Sequence, residues 1–490
     1  MRKTIIILVV IAFVATTVSC DNRDAGFDDY FSQDDEIANN TSPDPAENNE
    51  TTEPEGVLED TLTIWVQKYF DSELRVYAKM FRDAHPDIKI KIETYELSHG
   101  DTAKQLALVT SLLADPPDLL LYNSIAINFE KLYADSLFVD LYELFNGLRG
   151  IDIENYFSNI FHASELHGKL YGVPLFIDLM LAYPNIRLFK GAGIDISAIS
   201  SVSVDDEIEL YSQIAPYFPE ETIYPSPRFS IWSVLTRNTL YDIDSGEVSA
   251  NTPQMAEMLR KALEMPVNDI YVEFSPDHIM NFVTSGGEQY IAPIMQSDIM
   301  FHDHLDGGMV NFAVLFLQEH PDIQLAKPVP FTFGDADNIG FTSLHSLSIM
   351  KDSPNIDLSW EFMRFIMEYE ESLHDNEDYL HSDTSFPINR KRFNNQVYDA
   401  LEDLFIVTML YADNKDYTTV PLEEFQKQQI EDAVEYIYTI MESLNYEYRQ
   451  NRAVLYSLVY PDVWLLYSGQ QTIEQSLANI QNRLELYVNE

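Results

Sequence analysis

The sequence has a single cysteine and few basic residues. Cys20 stands near the start, so the rest of the 490-residue chain has no thiol for a disulfide, a thiolate metal site or a cysteine nucleophile. Thirty Lys and Arg residues against 80 Asp and Glu residues give a net charge of −50. Because affinity for nucleic acid depends on cations that displace counterions, we expect no nucleic-acid partner.

Long apolar runs and enzyme fingerprints are also missing after the first 20 residues. No later stretch reaches the ~20 apolar residues of a membrane-spanning helix. The sequence has no P-loop, dinucleotide fingerprint, nucleophile elbow or His-Glu-x-x-His motif, and paired carboxylates arise by chance among so many acids. We therefore predict no catalytic residues and no cofactor. Hydrophobic residues make up 46% of the chain, enough for sizeable cores, and the length indicates two or three domains.

Residues 1–20 have the layout of a secretory signal. Arg2 and Lys3 precede an apolar run over 5–14, and small or β-branched residues follow up to Cys20. The segment resembles a bacterial lipoprotein signal, whose cysteine is acylated, although Thr17 stands where that motif usually has Leu. The alternatives are a transmembrane anchor and ordinary secretion. We expect a lipid, such as palmitate, on Cys20 and a position at the outer face of the bacterial cytoplasmic membrane.

Residues 21–57 differ from the rest of the chain in composition. The stretch 21–60 contains fourteen acids and one Arg, with few aliphatic residues. Such a segment buries too little apolar surface to offset its ordering entropy. We predict a disordered acidic tether, with a terminal loop packed on the body as the alternative.

The folded body begins with alternating strand and helix patterns. A helix pattern ends before Pro86, and the period-two alternation of 88–95 indicates a half-buried strand. This order predicts an α/β domain, and from residue 401 onward the pattern is largely helical. The predicted elements are strands at 62–66, 88–95 and 118–122 and helices at 72–84 and 102–114.

Several segments in this order resemble family 1 extracellular solute-binding proteins of ABC importers, the maltose-binding-protein-like group. The most specific is Gly-Lys-Leu-Tyr-Gly-Val-Pro at 168–174, followed by Asn185 and by Leu-Phe-Lys-Gly-Ala-Gly at 188–193. The segments at 360–366 and 467–477 resemble later family elements. Among the departures, Pro184 replaces the usual aromatic residue before Asn185.

The resemblance implies a type II periplasmic-binding-protein-like fold with two α/β lobes and a helical C-terminus. The N-terminal lobe would comprise 58–178 and 330–372, and the C-terminal lobe 182–326 and 385–490. Crossovers would lie near 176–182, 325–332 and 370–385. A hinge of this kind lets ligand binding close one lobe on the other.

The resemblance also implies a monomeric, lipid-anchored receptor that delivers an extracellular solute to ABC permease subunits. A carbohydrate is the favoured ligand, with oligopeptides and polyamines as rivals. The alternatives from other classes are a lipid-anchored glycan hydrolase and a receptor for a membrane sensor kinase.

The candidate ligand residues follow strand ends, where α/β sheets bind ligands. Aromatic rings suit the C–H faces of sugars, and amides or carboxylates suit the hydroxyls. Asp178 could instead form a salt bridge at the hinge, and any of the aromatic residues could belong to the core. The candidate set is Trp65, Gln67, Tyr69, Tyr122, Asn123, Phe176, Asp178, Trp232, Gly340 and Phe341.

Three motifs resemble metal sites. His302-Asp303-His304-Leu305-Asp306 fits part of a metallohydrolase motif, but Gly307 replaces the next histidine. Asp242 to Gly246 and Asp335 to Gly340 resemble calcium loops with misplaced ligands. We therefore predict no metal site, but a solvated loop or polar cluster at 302–306 and turns at the other two.

Overall fold

The computed structural model describes residues 61–97, 102–123, 137–147, 150–226, 229–242, 245–266, 299–304, 328–334, 338–369, 385–396, 424–448, 455 and 457–489. The predicted signal segment, Cys20 and the predicted tether lie outside these ranges. Within them, no helix is long and apolar enough to cross a membrane.

The strands form a large sheet and a small one. The large sheet contains seven of the strands and the small sheet three. In chain order the strands are β1 (Thr61–Gln67), β2 (Lys89–Tyr95), β3 (Leu119–Tyr122), β4 (Val173–Leu179), β5 (Leu181–Pro184), β6 (Phe301–His304), β7 (Val329–Pro330), β8 (Gly340–Ile349), β9 (Phe386–Pro387) and β10 (Tyr446–Glu447).

The helices cover both sheets and form most of the second lobe. Short 3-10 turns occur at Lys68–Phe70, Ile153–Asn155, Ile196–Ala198 and Ala215–Tyr217. The α-helices are α1 (Asp71–Ala84), α2 (Thr102–Ala114), α3 (Leu141–Phe145), α4 (Ser158–Ala163), α5 (Ile186–Ala192), α6 (Val204–Ile214), α7 (Ile231–Arg237), α8 (Pro253–Glu264), α9 (Ile356–Glu368), α10 (Glu424–Ser443), α11 (Tyr460–Tyr467) and α12 (Ile473–Asn489).

The large sheet organises the first lobe. Its strand order is β2-β1-β3-β8-β4-β9, with β10 paired to the start of β8. β1 runs parallel to β2 and β3, whereas β8 runs antiparallel to β3 and β4. Strand residues alternate between the two faces. Leu62, Ile64 and Val66 therefore face the main core with α1 and α9, while Trp65 packs on a second cluster with Leu120.

The second lobe has two hydrophobic clusters. The small sheet, with order β6-β5-β7, supports one cluster that includes Phe189 and Phe301. Helices α6, α7, α8, α11 and α12 enclose the other around Leu259 and Leu477. The mixed α/β architecture with a helical C-terminus agrees with the predicted fold class.

The chain crosses between the lobes three times in the described ranges. β4 in the large sheet is followed, after Met180, by β5 in the small sheet. β7 lies in the small sheet and β8 in the large one, and after β10 both Tyr448 and Leu455 pack in the hydrophobic clusters of the second lobe. These segments touch: the Phe331 N–H donates to the Met180 carbonyl at 2.9 Å, and the Tyr448 N–H donates to the Phe341 carbonyl at 2.7 Å.

The third crossover differs from the predicted one. The sequence prediction assigns 385–490 to the C-terminal lobe, but β9 and β10 pair with β4 and β8 of the large sheet. Phe393 and Met441 also pack in the main core of the first lobe. The described residues of 385–447 therefore belong to the first lobe, and the crossover follows β10. The sequence predicts that this stretch is helical, but its periodicity does not show which lobe the apolar side of the helix packs against.

Candidate functional site

The candidate site lies at the end of the large sheet where the parallel strands β1 and β3 have their C-termini. Val66 of β1 pairs with Leu121 of β3. Gln67 and Tyr122, the last residues of these two neighbouring strands, therefore lie side by side. Asn123 follows directly and is buried. Of the predicted set, the structure thus brings together Gln67, Tyr122 and Asn123 at the C-terminal ends of β1 and β3.

Tyr122 is fixed by tight packing. Its ring lies nearly parallel to that of Phe138, with centroids 6.3 Å apart, and its hydroxyl lies 3.4 Å from Ser348 Oγ. A Cβ at Gly172 would lie 2.7 Å from the Tyr122 hydroxyl and 2.8 Å from Ser348 Oγ. The glycine of the Gly-Lys-Leu-Tyr-Gly-Val-Pro run therefore makes room for Tyr122.

Gln67 has one satisfied and one unsatisfied polar atom. Its Nε2 donates to the Leu97 carbonyl at 3.1 Å, while its Oε1 is buried with no hydrogen-bond partner among the described residues. Beside it, the Tyr95 hydroxyl donates to the Leu121 carbonyl at 3.0 Å. Burial, with Tyr122 nearby, raises the pKa of Tyr95 well above its ordinary value. Among the described residues, this end of the sheet therefore contains a buried acceptor that lacks a donor.

Trp65 lies in β1, the strand next to the edge strand β2. It is half-buried and stands opposite Glu93 of β2. The Lys91 ammonium, 2.5 Å from the Glu93 carboxylate, lowers the pKa of Glu93, and the hydrogen bond from Trp65 lowers it further. Trp65 is thus partly buried against the cluster that contains Leu120.

The strands β4 and β8 extend beyond the C-terminal ends of β1 and β3, toward the second lobe. Tyr122 pairs with Ser346 of β8, whereas Asp178 pairs with Thr342, four residues closer to the start of β8. At 3.3–3.4 Å per residue, Asp178 lies ~13 Å beyond Tyr122 along the strands. Asp178 is buried beside the first crossover.

Three predicted site residues occupy positions that do not suit a ligand platform. Phe176 and Phe341 have no exposed surface and belong to the main core. Gly340 lies directly under the ring of Phe333, which takes the space that the sequence prediction reserves for a ligand. Alternating strand patterns do not distinguish a core ring from a cleft ring, so the packing of these three residues does not support the prediction that they face a ligand.

A buried polar cluster that sequence reasoning missed lies under the start of α1. His345 Nδ1 lies 3.4 Å from Glu73 Oε2, and the His345 ring packs edge-on to Phe70 with centroids 3.9 Å apart. Burial, with the nearby charge of Arg392, lowers the pKa of His345 to about 3. Arg392 also lies over the ring of Phe176 at 4.5 Å. The imidazole is therefore neutral at physiological pH and links β8 to α1.

In the second lobe, Trp232 occupies the first turn of α7. Ser230 caps this helix, since its Oγ accepts from the Ser233 N–H at 3.3 Å while Ser233 Oγ accepts from the Ser230 N–H at 2.8 Å. Trp232 is half-buried and packs edge-to-face against Tyr460, with ring centroids 5.6 Å apart. Trp464, one turn after Tyr460 on α11, is 62% exposed. Sequence reasoning overlooked these two aromatic residues, although their i, i+4 spacing was a usable signal.

The remaining candidates have limited descriptions. Tyr69 lies in the turn Lys68–Phe70, and its side chain is outside the described set. His302, Asp303 and His304 lie in β6 rather than in a loop, with side chains also outside that set. Leu305 and Asp306 are not described.

The described part of the chain has no cluster of three or more His, Cys, Asp or Glu side chains able to hold a metal ion. At the first calcium-like motif, the Gly246 N–H donates to the Asp242 carbonyl at 3.0 Å and Tyr241 pairs with Val248, which agrees with the predicted turn. Half of the other calcium-like motif, residues 335–337, lies outside the described residues.

Comparison with known proteins identifies the fold. No protein-family model matches the chain, and a search of curated proteins finds no match either. Among solved structures, the chain is similar to an extracellular solute-binding protein family 1 member from Alicyclobacillus acidocaldarius, with a TM-score of 0.52, 14% identity, and coverage of 89% of this chain and 100% of that one.

Two further structures are similar at the same identity of 14%. A candidate oligosaccharide periplasmic-binding protein from Synechococcus sp. MITs9220 has a TM-score of 0.53 and covers 87% of this chain and 99% of its own. A de novo designed cysteine esterase has a TM-score of 0.55, with coverage of 89% and 99%. The chain therefore has the fold of extracellular solute-binding proteins, as the sequence resemblance predicts.

Proposed function

We propose that the chain is a lipid-anchored receptor that captures an extracellular carbohydrate between its lobes and delivers it to an ABC permease. The observation that carries the proposal is the triple crossover between two α/β lobes, at Met180, between β7 and β8, and after β10. Such a connection allows hinge closure around a ligand, and a permease can then distinguish the closed, loaded form from the open one.

The side chains at the crossovers and strand ends support a neutral, hydroxyl-rich ligand. Gln67 contributes a buried acceptor, and two half-buried aromatic residues are Trp65 in β1 and, away from the strand ends, Trp232 in α7. The similarity to a candidate oligosaccharide-binding protein agrees with this choice. Our proposed ligand residues are Trp65, Gln67, Tyr69, Tyr122, Asn123, Asp178 and Trp232.

We also propose that the protein is not an enzyme. The designed esterase of similar fold is a cysteine esterase, whereas the only cysteine here is Cys20 in the predicted signal segment. The test incubates the purified protein with each sugar that binds it and then analyses the sugar. We expect the bound sugar to be recovered unchanged, and release of new reducing ends would favour the hydrolase alternative.

Anchoring and delivery have separate tests. Cells grown with an alkynyl fatty acid should label the wild-type chain, and Cys20→Ala should abolish the label. A crosslinked complex with membrane permease subunits that forms only with sugar present would support import. A complex with a sensor kinase in place of a permease would support the sensing alternative.

A further inference from the structure

The C-terminal half of helix α10 is fixed to the first lobe. Its Met441 belongs to the main core of that lobe. Asn159 of α4 caps the end of the helix, since its Nδ2 donates to the Met441 carbonyl at 2.9 Å and to the Leu444 carbonyl at 2.7 Å. Arg390 also donates to the Glu442 carboxylate at 2.9 Å. This part of the helix therefore moves with the first lobe.

The same helix also contacts the second lobe. The Tyr436 hydroxyl donates to the carbonyl of Pro328, which directly precedes β7 of the small sheet. Leu181 and Tyr183 of β5 belong to the same hydrophobic cluster as Met441, and Tyr436 packs against that cluster. Burial raises the pKa of Tyr436, so its hydroxyl keeps its proton at neutral pH. Tyr436 thus joins the two lobes by a hydrogen bond.

This hydrogen bond lies away from the crossovers themselves. The first and second crossovers touch where the Phe331 N–H donates to the Met180 carbonyl, and Pro328 lies three residues before Phe331. The two residues between them pair with β5, so this stretch of chain is extended. At 3.3–3.4 Å per residue, Pro328 lies ~10 Å from the point at which the crossovers touch.

That distance makes the hydrogen bond sensitive to rotation of the lobes. A rigid-body rotation on the order of 15° moves a group ~10 Å from its axis by ~2.6 Å. A hydroxyl donor and its acceptor lie only about 2.5–3.0 Å apart, so a displacement of this size breaks the bond. The bond from Tyr436 to Pro328 therefore forms in the described arrangement of the lobes and not in one rotated about the crossovers.

We propose that Tyr436 is a latch between the lobes, whose hydrogen bond to Pro328 must break before the lobes rotate about their crossovers. The balance between the two arrangements is then set in part away from the ligand residues, and with it the apparent affinity for a ligand that binds one arrangement. The inference rests on the lobe motion of the proposed function, but it does not depend on which ligand binds.

The test measures the distance between the lobes without any ligand, by pulsed electron–electron double resonance. Spin labels are attached at Asp83→Cys on α1 and Leu263→Cys on α8, which are both exposed positions. The full chain also carries Cys20→Ala, so that no other thiol takes a label. We expect one main distance in this protein. Adding Tyr436→Phe should raise the share of a second distance about two- to tenfold, as the loss of one ordinary hydrogen bond does.

Tyr438→Phe is the matched control. It removes a hydroxyl from the same helix, but that hydroxyl accepts from Arg390 within the first lobe. The distances should therefore stay as they are without it, and circular dichroism should show both phenylalanine variants to be folded. Distances in Tyr436→Phe equal to those in Tyr438→Phe would overturn the latch, as would a distribution equally broad with Tyr436 in place. Either result leaves the receptor proposal standing, because that proposal fails only when no ligand stabilises the protein.

Discussion

Gly340 lies against the ring of Phe333, so closely that a Cβ on residue 340 would overlap two ring carbons. Phe333 is almost fully buried, stacked near Tyr446 and Tyr448 at centroid distances of 5.9 and 4.9 Å. The contact joins the second crossover to the third, since Gly340 also pairs with Tyr446. A glycine is required here by a neighbouring ring rather than by a ligand.

Gly340→Ala should therefore destabilise the protein. Overpacking a core contact costs about 1–3 kcal/mol, which exceeds the roughly 0.4–1 kcal/mol that an alanine gains by restricting the unfolded chain. Denaturant unfolding measures the difference. Adding Phe333→Leu should recover part of the loss, and a Gly340→Ala protein as stable as the wild type would contradict the packing described.

Gly172 and Tyr122 provide a second steric test, at the candidate site itself. Gly172→Ala would place a methyl 2.7 Å from the Tyr122 hydroxyl. We expect a loss of about 1–3 kcal/mol in the free energy of unfolding. Tyr122→Phe removes the hydroxyl, so the double variant should be more stable than Gly172→Ala alone. Equal stabilities of the single and double variants would show that Tyr122 does not occupy this position.

His345 should make stability depend on pH in a defined window. Burial and the charge of Arg392 lower its folded pKa to about 3, against 6.5 for an ordinary imidazole. Below pH 6.5 the unfolded chain binds a proton that the folded chain does not, so the free energy of unfolding falls by up to ~1.4 kcal/mol per pH unit until about pH 3. Above pH 6.5 the ring is neutral in both states and contributes no slope.

The measurement is the unfolding free energy of wild type and His345→Gln from pH 7.5 to 4. The two curves should converge as pH falls, because the variant lacks the titrating group. His345→Phe provides a second variant if glutamine is poorly tolerated beside Glu73. Curves that stay parallel over this range would contradict a neutral, buried His345.

The buried pair Arg237–Glu207 should stabilise the second lobe far more than a surface pair. Their charged atoms lie 2.5 Å apart with little exposure, and Arg237 stacks on Phe331 at 3.9 Å. Removing one partner of a buried pair costs about 3–5 kcal/mol. Glu207→Gln should therefore lower the unfolding free energy strongly.

Glu221→Gln is the matched control. It breaks the Arg187–Glu221 pair, whose atoms lie 2.8 Å apart at the surface. Exposed pairs contribute about 0–1 kcal/mol. Similar losses for the two glutamine variants would show that the Arg237–Glu207 pair is not buried as described.

Local patterns predicted the first half of the first lobe well. The predicted strand at 62–66 is β1, and the predicted helices at 72–84 and 102–114 agree with α1 and α2. In these segments the hydrophobic periodicity and the position of the next proline indicate the same secondary structure that tertiary packing requires. Local preference and packing therefore agree.

Side-chain environment and lobe assignment were less predictable. Phe176 and Trp232 look alike in sequence, but β4 is buried on both faces whereas the first turn of α7 is partly exposed. Likewise, the helical pattern near α10 does not reveal that Ile437 and Met441 pack in the first lobe. Both outcomes depend on contacts between segments that are hundreds of residues apart, which no local pattern encodes.

The most direct test of the receptor proposal is a thermal melt of the purified full chain against a panel of neutral oligosaccharides, peptides and polyamines. A ligand at a hundredfold excess over its dissociation constant stabilises the folded state by about 2.7 kcal/mol. We predict that an oligosaccharide raises the melting temperature and that Trp232→Ala abolishes this rise while changing the ligand-free melt little. A rise with a polyamine or a peptide and with no sugar would contradict the carbohydrate receptor.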